Sequence, residues 1–357
     1  MTRKSITMIF IYLLSFSSIN ILTAKDYTEA DAKEDKMKVE RIEKTLKYGM
    51  QKDRITAMNF IKSIKSEDMR NRVLLKVINL IEDDPNIEAK KTAITVVGDL
   101  KNRKAIPALI KALDDKSEDI QIAACYALGR LEAHEAKDKV IDLLKKQDLG
   151  MSSNLTEALI ILLTDLKSND ILDYAIENIK DHKTGKMARE RFMLYIGKVG
   201  SAAQKDFLIE LLNDEDEDMT IRSHAVKALG SLKIKESADD IKKLLNEIEE
   251  FPFRKKQSYY NLSMHAVTAL VAFGDSDSVE LLMNSLRSDN AGVRLNAVNL
   301  IKDFDDERTI DILKYKMKYD PNERVKNAAK KALEDKGLIE KDKESDDKSA
   351  IEDNADE

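Results

Sequence analysis

The chain has 357 residues, a formal net charge of −6, one cysteine and no tryptophan. A single cysteine excludes an intramolecular disulfide framework and any cysteine-ligated metal cluster. The lack of a basic excess removes the electrostatic footprint that nucleic acid requires.

Charged residues make up 35% of the chain, with only 11 Gly and 4 Pro, a balance that reads as all-helical. Taken from the N-terminus, Arg3 and Lys4 precede an apolar run over 6–14 and a small-residue end at Thr23-Ala24, the layout of a secretory signal peptide over 1–24. The rival reading is an uncleaved anchor, disfavoured by the shortness of the run. No later run is long enough to span a bilayer, so the mature protein is expected to be exported, most simply to a bacterial periplasm. Residues 25–37 read as a polar linker. The last segment, 338–357, holds nine acids and three bases and reads as a disordered acidic tail.

Between these lies a repeated phrase. Apolar anchors recur at Ile61, Val97, Leu128, Leu163, Ile196, Leu229, Leu270, Ile301 and Leu333, on average 34 residues apart. Four residues before each stand Ala57, Ala93, Ala124, Leu159, Phe192, Ala225, Ala266, Ala297 and Ala329. Eight before, the residue is usually apolar, as in Ile120, Ile221 and Val325. These offsets form one stripe of an α-helix. Each unit also carries an earlier amphipathic helix, as in "AIPALIKAL", and an Asp-, Asn- or Ser-bearing turn that caps the second helix. The expected architecture is an all-α solenoid of about nine helical hairpins over 38–337.

The units resemble HEAT repeats, of the short kind also found in phycobilisome-lyase-type HEAT-like proteins. The residues carrying the resemblance are "AIPALIKAL" with Pro107, the capping turn and "IRSHAVKALGSL". HEAT repeats stack a turn Asp and an Arg or Lys into a ladder. Here the residue seven before the anchor is Arg54, Lys90, Arg189, Arg222, Arg294 or Lys326 in six units, and matching turn acids include Asp53, Asp84, Asp181, Asp214, Asp289 and Asp320. The resemblance implies an α-solenoid with a binding role and names no partner.

Little catalytic chemistry is visible. The run "DEDED" over 214–218 lacks the Gly and Glu of a calcium loop and reads as a capping turn. His224 and His265 hold equivalent places on successive second helices, but two histidines without a third ligand make a poor metal site. Cys125 sits on an interior face. No cofactor is expected. An enzyme of the lyase kind would need a polar constellation that cannot be assembled from these residues.

Two surfaces stand out. On the second helices, the offsets facing away from the buried stripe carry Ile122, Tyr126, Ile161 and Leu194, with a smaller run at Met264 and Leu295. Such a strip, expected on the concave face, reads as a protein interface, or else as side chains that a neighbouring helix covers. The second is a long insertion between units six and seven. It brings Phe251, Phe253, Arg254, Lys255, Lys256, Tyr259 and Tyr260 together, which suits a carbohydrate or an acidic ligand, unless its rings pack back on the array. The expected function is a non-catalytic, exported scaffold that binds another protein, with a lyase-like enzyme or ligand binding at the insertion as alternatives.

Overall fold

The computed structural model describes residues 27–151, 153–302 and 307–340. The signal-peptide reading, and the tail reading beyond residue 340, lie outside these residues. The described residues form nineteen α-helices and no strand. They are arranged as nine consecutive helical hairpins plus one short extra helix, an all-α α-solenoid. The chain divides into two compact units, residues 1–147 with 154–166, and residues 148–153 with 167–357.

The first unit holds four hairpins: α1 (Glu29–Tyr48) with α2 (Gln51–Asn59), α3 (Glu67–Asp83) with α4 (Ile87–Asp99), α5 (Ile106–Ala112) with α6 (Glu118–Arg130), and α7 (Lys137–Leu144) with α8 (Asn154–Asp165). The second holds five: α9 (Leu172–Lys180) with α10 (Lys186–Val199), α11 (Lys205–Asn213) with α12 (Met219–Ser231), and α13 (Ala238–Glu249) with α15 (Tyr260–Phe273). The short α14 (Phe253–Ser258) intervenes in this third pair, and α16 (Ser276–Leu286) with α17 (Ala291–Ile301) and α18 (Glu307–Tyr319) with α19 (Glu323–Asp335) complete the unit. Within each unit the second helices stack in series, α2 on α4 on α6 on α8, and α10 on α12 on α15 on α17 on α19.

All nine anchors are buried, each 1% exposed or less, and all nine residues four before them are buried too. The expected stripe is therefore the seam between hairpins. Its closeness comes from a small-residue contact. A Cβ placed on Gly98 would meet Ala127 at 3.0 Å, and one on Gly230 would meet Ala269 at 3.0 Å. Each glycine follows its anchor and each alanine precedes the next anchor, which is why the repeat is written "ALG".

The turns behave as read. Asn86, Asp218, Asn290 and Asn322 accept backbone N–H bonds from the first turns of α4, α12, α17 and α19. The opposite ends share a device the sequence did not disclose. Four residues after the anchor, Lys101, Glu132, Lys167 and Lys233 take left-handed φ of 48–54°, and Gly274 and Gly337 are left-handed at 93° and 68°. In five of these six, all but Lys167, the anchor's own carbonyl accepts the closing bond, as in Ile234 N–H to Leu229 O at 3.0 Å.

The stretch over 25–37 is corrected. From Glu29 onward it is helix, started by a capping box between Thr28 and Asp31. Asp35 is fully buried and accepts the backbone N–H of Lys65 and Ser66, which ties α1 to the start of α3. A carboxylate that closes a helix N-terminus reads as linker polarity in sequence.

Candidate functional site: a half-open apolar strip and a basic insertion

In the first unit, Ile122 and Tyr126 stand four residues apart on α6 and so share a face. Tyr126 is 43% exposed and Ile122 half-buried, while Ile161 is half-buried on the neighbouring α8. An exposed aromatic ring with half-open aliphatic side chains on its own helix and the next leaves apolar surface that a contact could remove from water. The preceding helix α4 is polar at the matching offsets. There Lys91 pairs with Glu88 at 3.3 Å and Asp119 at 3.4 Å, and Thr95 donates to the Lys91 carbonyl. In the second unit Leu194 is half-buried on α10.

The run at Met264 and Leu295 is not a surface. Met264 is only 6% exposed and lies in a core with Val267, Leu282, Leu286 and Ala297, and Leu295 packs against the same cluster. Here α16, the first helix of the hairpin after that of Met264, supplies Leu282, Met283 and Leu286 to the core around it.

The insertion divides in two. Phe251 and Tyr259 meet edge to face at 5.0 Å, with the Lys255 ammonium 3.6 Å from the Phe251 centroid and 5.5 Å from that of Tyr259. Tyr259 is buried, so it is not itself a contact surface, and Tyr260 packs against the core formed by the last hairpins, with its hydroxyl buried. Phe253 is 78% exposed, Arg254 is exposed, and Lys256 pairs with Glu249 at 2.7 Å. The sequence did not single out Tyr315 and Tyr319, both exposed on α18 with rings 5.2 Å apart. Their four-residue spacing was the available signal.

The ladder is present, with a different register. Four of the six bases reach an acid in the turn of the next hairpin, not of their own. Arg54 makes two 2.8 Å bonds to Asp84, Lys90 reaches Asp115 at 3.3 Å, Arg189 pairs with Glu217, and Arg294 makes two 2.9 Å bonds to Asp320. Lys326 instead pairs with Glu323 in its own helix. The arginines also cap the carbonyl ends of their own first helices, as Arg189 Nε does at Ile179 O, 2.8 Å. Asp214 and Asp181 serve their own turns by accepting from Asp216 N–H and Lys183 N–H. In the acidic run 214–218, Asp214 and Asp218 make turn and cap bonds while Glu217 is the rung for Arg189.

Burial pushes the Cys125 thiol up to about 12, which leaves it un-ionised and unreactive. Burial first, then Lys227 and His224, push His265 down to about 4, and burial chiefly lowers His224. No group of three or more His, Cys, Asp or Glu side chains able to hold a metal occurs among the described residues. No described helix is long and apolar enough to cross a membrane.

HEAT repeats are matched at residues 74–160 and 254–334. Among solved structures, the complex of CpcE and CpcF of phycocyanin lyase from Nostoc is similar at 16% identity, covering 79% of this chain and 98% of that one with a TM-score of 0.40. Importin beta is similar at 14% identity, covering 80% of this chain and 44% of its own, with a TM-score of 0.46. Human deoxyhypusine hydroxylase is similar at 16% identity, covering 75% and 97% with a TM-score of 0.32. No curated protein matches the sequence.

Proposed function

We propose that this protein is a non-catalytic, exported scaffold whose α6–α8 face binds a partner protein. The observation that carries the reading is Tyr126, an exposed ring four residues from the half-buried Ile122 on its own helix, with the half-buried Ile161 on the helix stacked next to it. Tyrosines of this kind anchor interfaces because a large apolar body comes with a polar tip and only two side-chain torsions to immobilise. The solenoid supports the reading further. Most of its buried arginines are held in rungs between hairpins, as Arg189 and Arg294 are. Export is our reading of the segment 1–24 and locates the partner in the same compartment.

A photo-crosslinking amino acid placed at Tyr126 in the native cell tests the face. A discrete adduct is expected there, absent when the same group replaces Lys76 on α3, and lost when Ile122→Lys is added. Equal labelling at both positions would sink the assignment. A Tyr126→Lys variant should meanwhile keep its helicity and melting temperature, since exposed positions contribute little to folding.

A further inference from the structure

The inter-hairpin ladder has one rung whose carboxylate the sequence does not supply. The acids Asp84, Asp115 and Asp320 all stand thirteen residues before their anchors Val97, Leu128 and Leu333. Thirteen before Leu270 stands Gln257, exposed at the end of α14. The insertion has replaced the acidic turn, and the arginine that should meet it is Arg222 on α12.

Arg222 is only 2% exposed. Its Nε still caps its own hairpin by donating to Leu212 O at 3.1 Å, but its buried Nη1 meets no acceptor among the described residues. Against the guanidinium lies the ring of Tyr259, 5.7 Å from centroid to carbon, the same ring that stands 5.5 Å from the Lys255 ammonium. A buried guanidinium satisfied by a ring face forgoes the charge-assisted bonds that Arg54, Arg189 and Arg294 all make.

We infer that Arg222 is a receptor for the side-chain carboxylate of an acidic peptide segment, with Lys255 as the second cation of the site. The protein's other rungs define the ligand. What this position accepts elsewhere is an Asp or Glu carried on a turn, gripped through both oxygens at Arg54 and Arg294. Access is through the insertion itself. The six residues of α14 are all unburied, so this segment can move at little packing cost, and the ligand carboxylate would take the place that the buried Tyr259 ring holds against Arg222. The basic side chains Arg254 and Lys255 at its surface favour approach of an acidic chain.

The site is independent of the α6–α8 face and stands or falls by itself. The chain has no tryptophan, so Phe253→Trp in the full chain places a single indole reporter on the exposed insertion. The probe is a capped decapeptide of alternating Gly and Asp, compared with its Gly and Asn counterpart and with inorganic phosphate. The expected result is a saturable fluorescence change with the Asp peptide only, weakened at least tenfold by Arg222→Gln. That variant has a precedent in the chain, because Gln121 holds the equivalent place on α6 and caps Leu113 O at 3.0 Å. Lys255→Gln, at an exposed side chain, should weaken binding several-fold without involving the core, and Tyr126→Lys should leave it unchanged. No saturable response, an undiminished response in both the Arg222→Gln and Lys255→Gln variants, or phosphate matching the peptide would each overturn the assignment.

Discussion

Arg294 and Asp320 lie twenty-six residues apart and exchange two 2.9 Å bonds, with the carboxylate fully buried and the guanidinium nearly so. Lys316 adds a third bond to the same carboxylate at 3.1 Å, and the backbone N–H of Asn322 a fourth at 3.0 Å. Removing Arg294 takes two of these four bonds from a buried carboxylate and leaves Lys316 and the Asn322 N–H to hold it. Arg294→Ala should therefore cost about 1.5–3 kcal/mol in urea unfolding, whereas Arg103→Ala, which loses a solvent-open pair with Glu135 and one bond to the Leu131 carbonyl, should cost less. Burial alone would raise the Asp320 carboxyl, but Arg294, the Asn322 N–H and Lys316 outweigh it and hold it down to about 2. The folded value is the lower one. The stabilisation is thus complete above the ordinary carboxylate range and is lost as pH falls from about 4 towards 2.

The "ALG" contact makes a paired prediction. A methyl on Gly230 would press on the Cα and Cβ of Ala269 at 3.0 Å, whereas on Gly197 it would meet Ala228 at an ordinary 3.4 Å. Helix propensity favours alanine at both places by about 1 kcal/mol. Gly197→Ala should raise the melting temperature. Gly230→Ala should lower it, because separating α12 from α15 costs roughly 1–3 kcal/mol of packing. Similar shifts at both sites would show that the seam is looser than the distances imply.

Lys233 ends α12 with φ at 54°, a conformation that glycine adopts freely and that costs a side-chain-bearing residue about 1–2 kcal/mol. The chain already places glycine at the equivalent Gly274 and Gly337. Replacing Lys233 with Gly should stabilise the protein by about 0.5–1 kcal/mol, after the entropy that glycine loses on folding. Chemical denaturation reads this directly, and destabilisation would mean that the lysine side chain contributes contacts of its own.

These elements also mark where the sequence was legible. The nine anchors and their partners four residues earlier were readable because a buried stripe must repeat at helical spacing, and each of them is buried. Arg54 and Asp84 were both visible as ladder residues, but their pairing across hairpins was not, since spacing along a chain does not say which neighbour a long side chain will reach. Met264 and Tyr126 both occupy outward offsets; the structure separates them because α16 folds over the first. The role of Asp35 is not legible in sequence, because a buried capping carboxylate and a solvated one look alike there. The missing acid opposite Arg222 was legible in principle, as the absence of an Asp thirteen residues before Leu270.

His265 offers the last test. It sits half-buried on α15, and burial, reinforced by Lys227 and His224, pushes its imidazole down to about 4 from an ordinary value near 6.5. Above pH 6.5 both folded and unfolded chains carry it neutral, so it contributes nothing to the pH dependence there. Below 6.5 the unfolded chain takes up the proton first, and stability declines until the folded chain also protonates near pH 4. The full decline is at most about 3.5 kcal/mol, because one pKa unit corresponds to about 1.4 kcal/mol. A His265→Asn variant should flatten the stability profile between pH 6.5 and 4 while leaving the acid limb near pH 3 in place, since that limb belongs to carboxylates such as Asp320. An NMR titration of the His265 ring should show a midpoint near 4. A midpoint near 6.5 would mean that the ring is solvated and that α12 and α15 are less closely stacked around it than the structure shows.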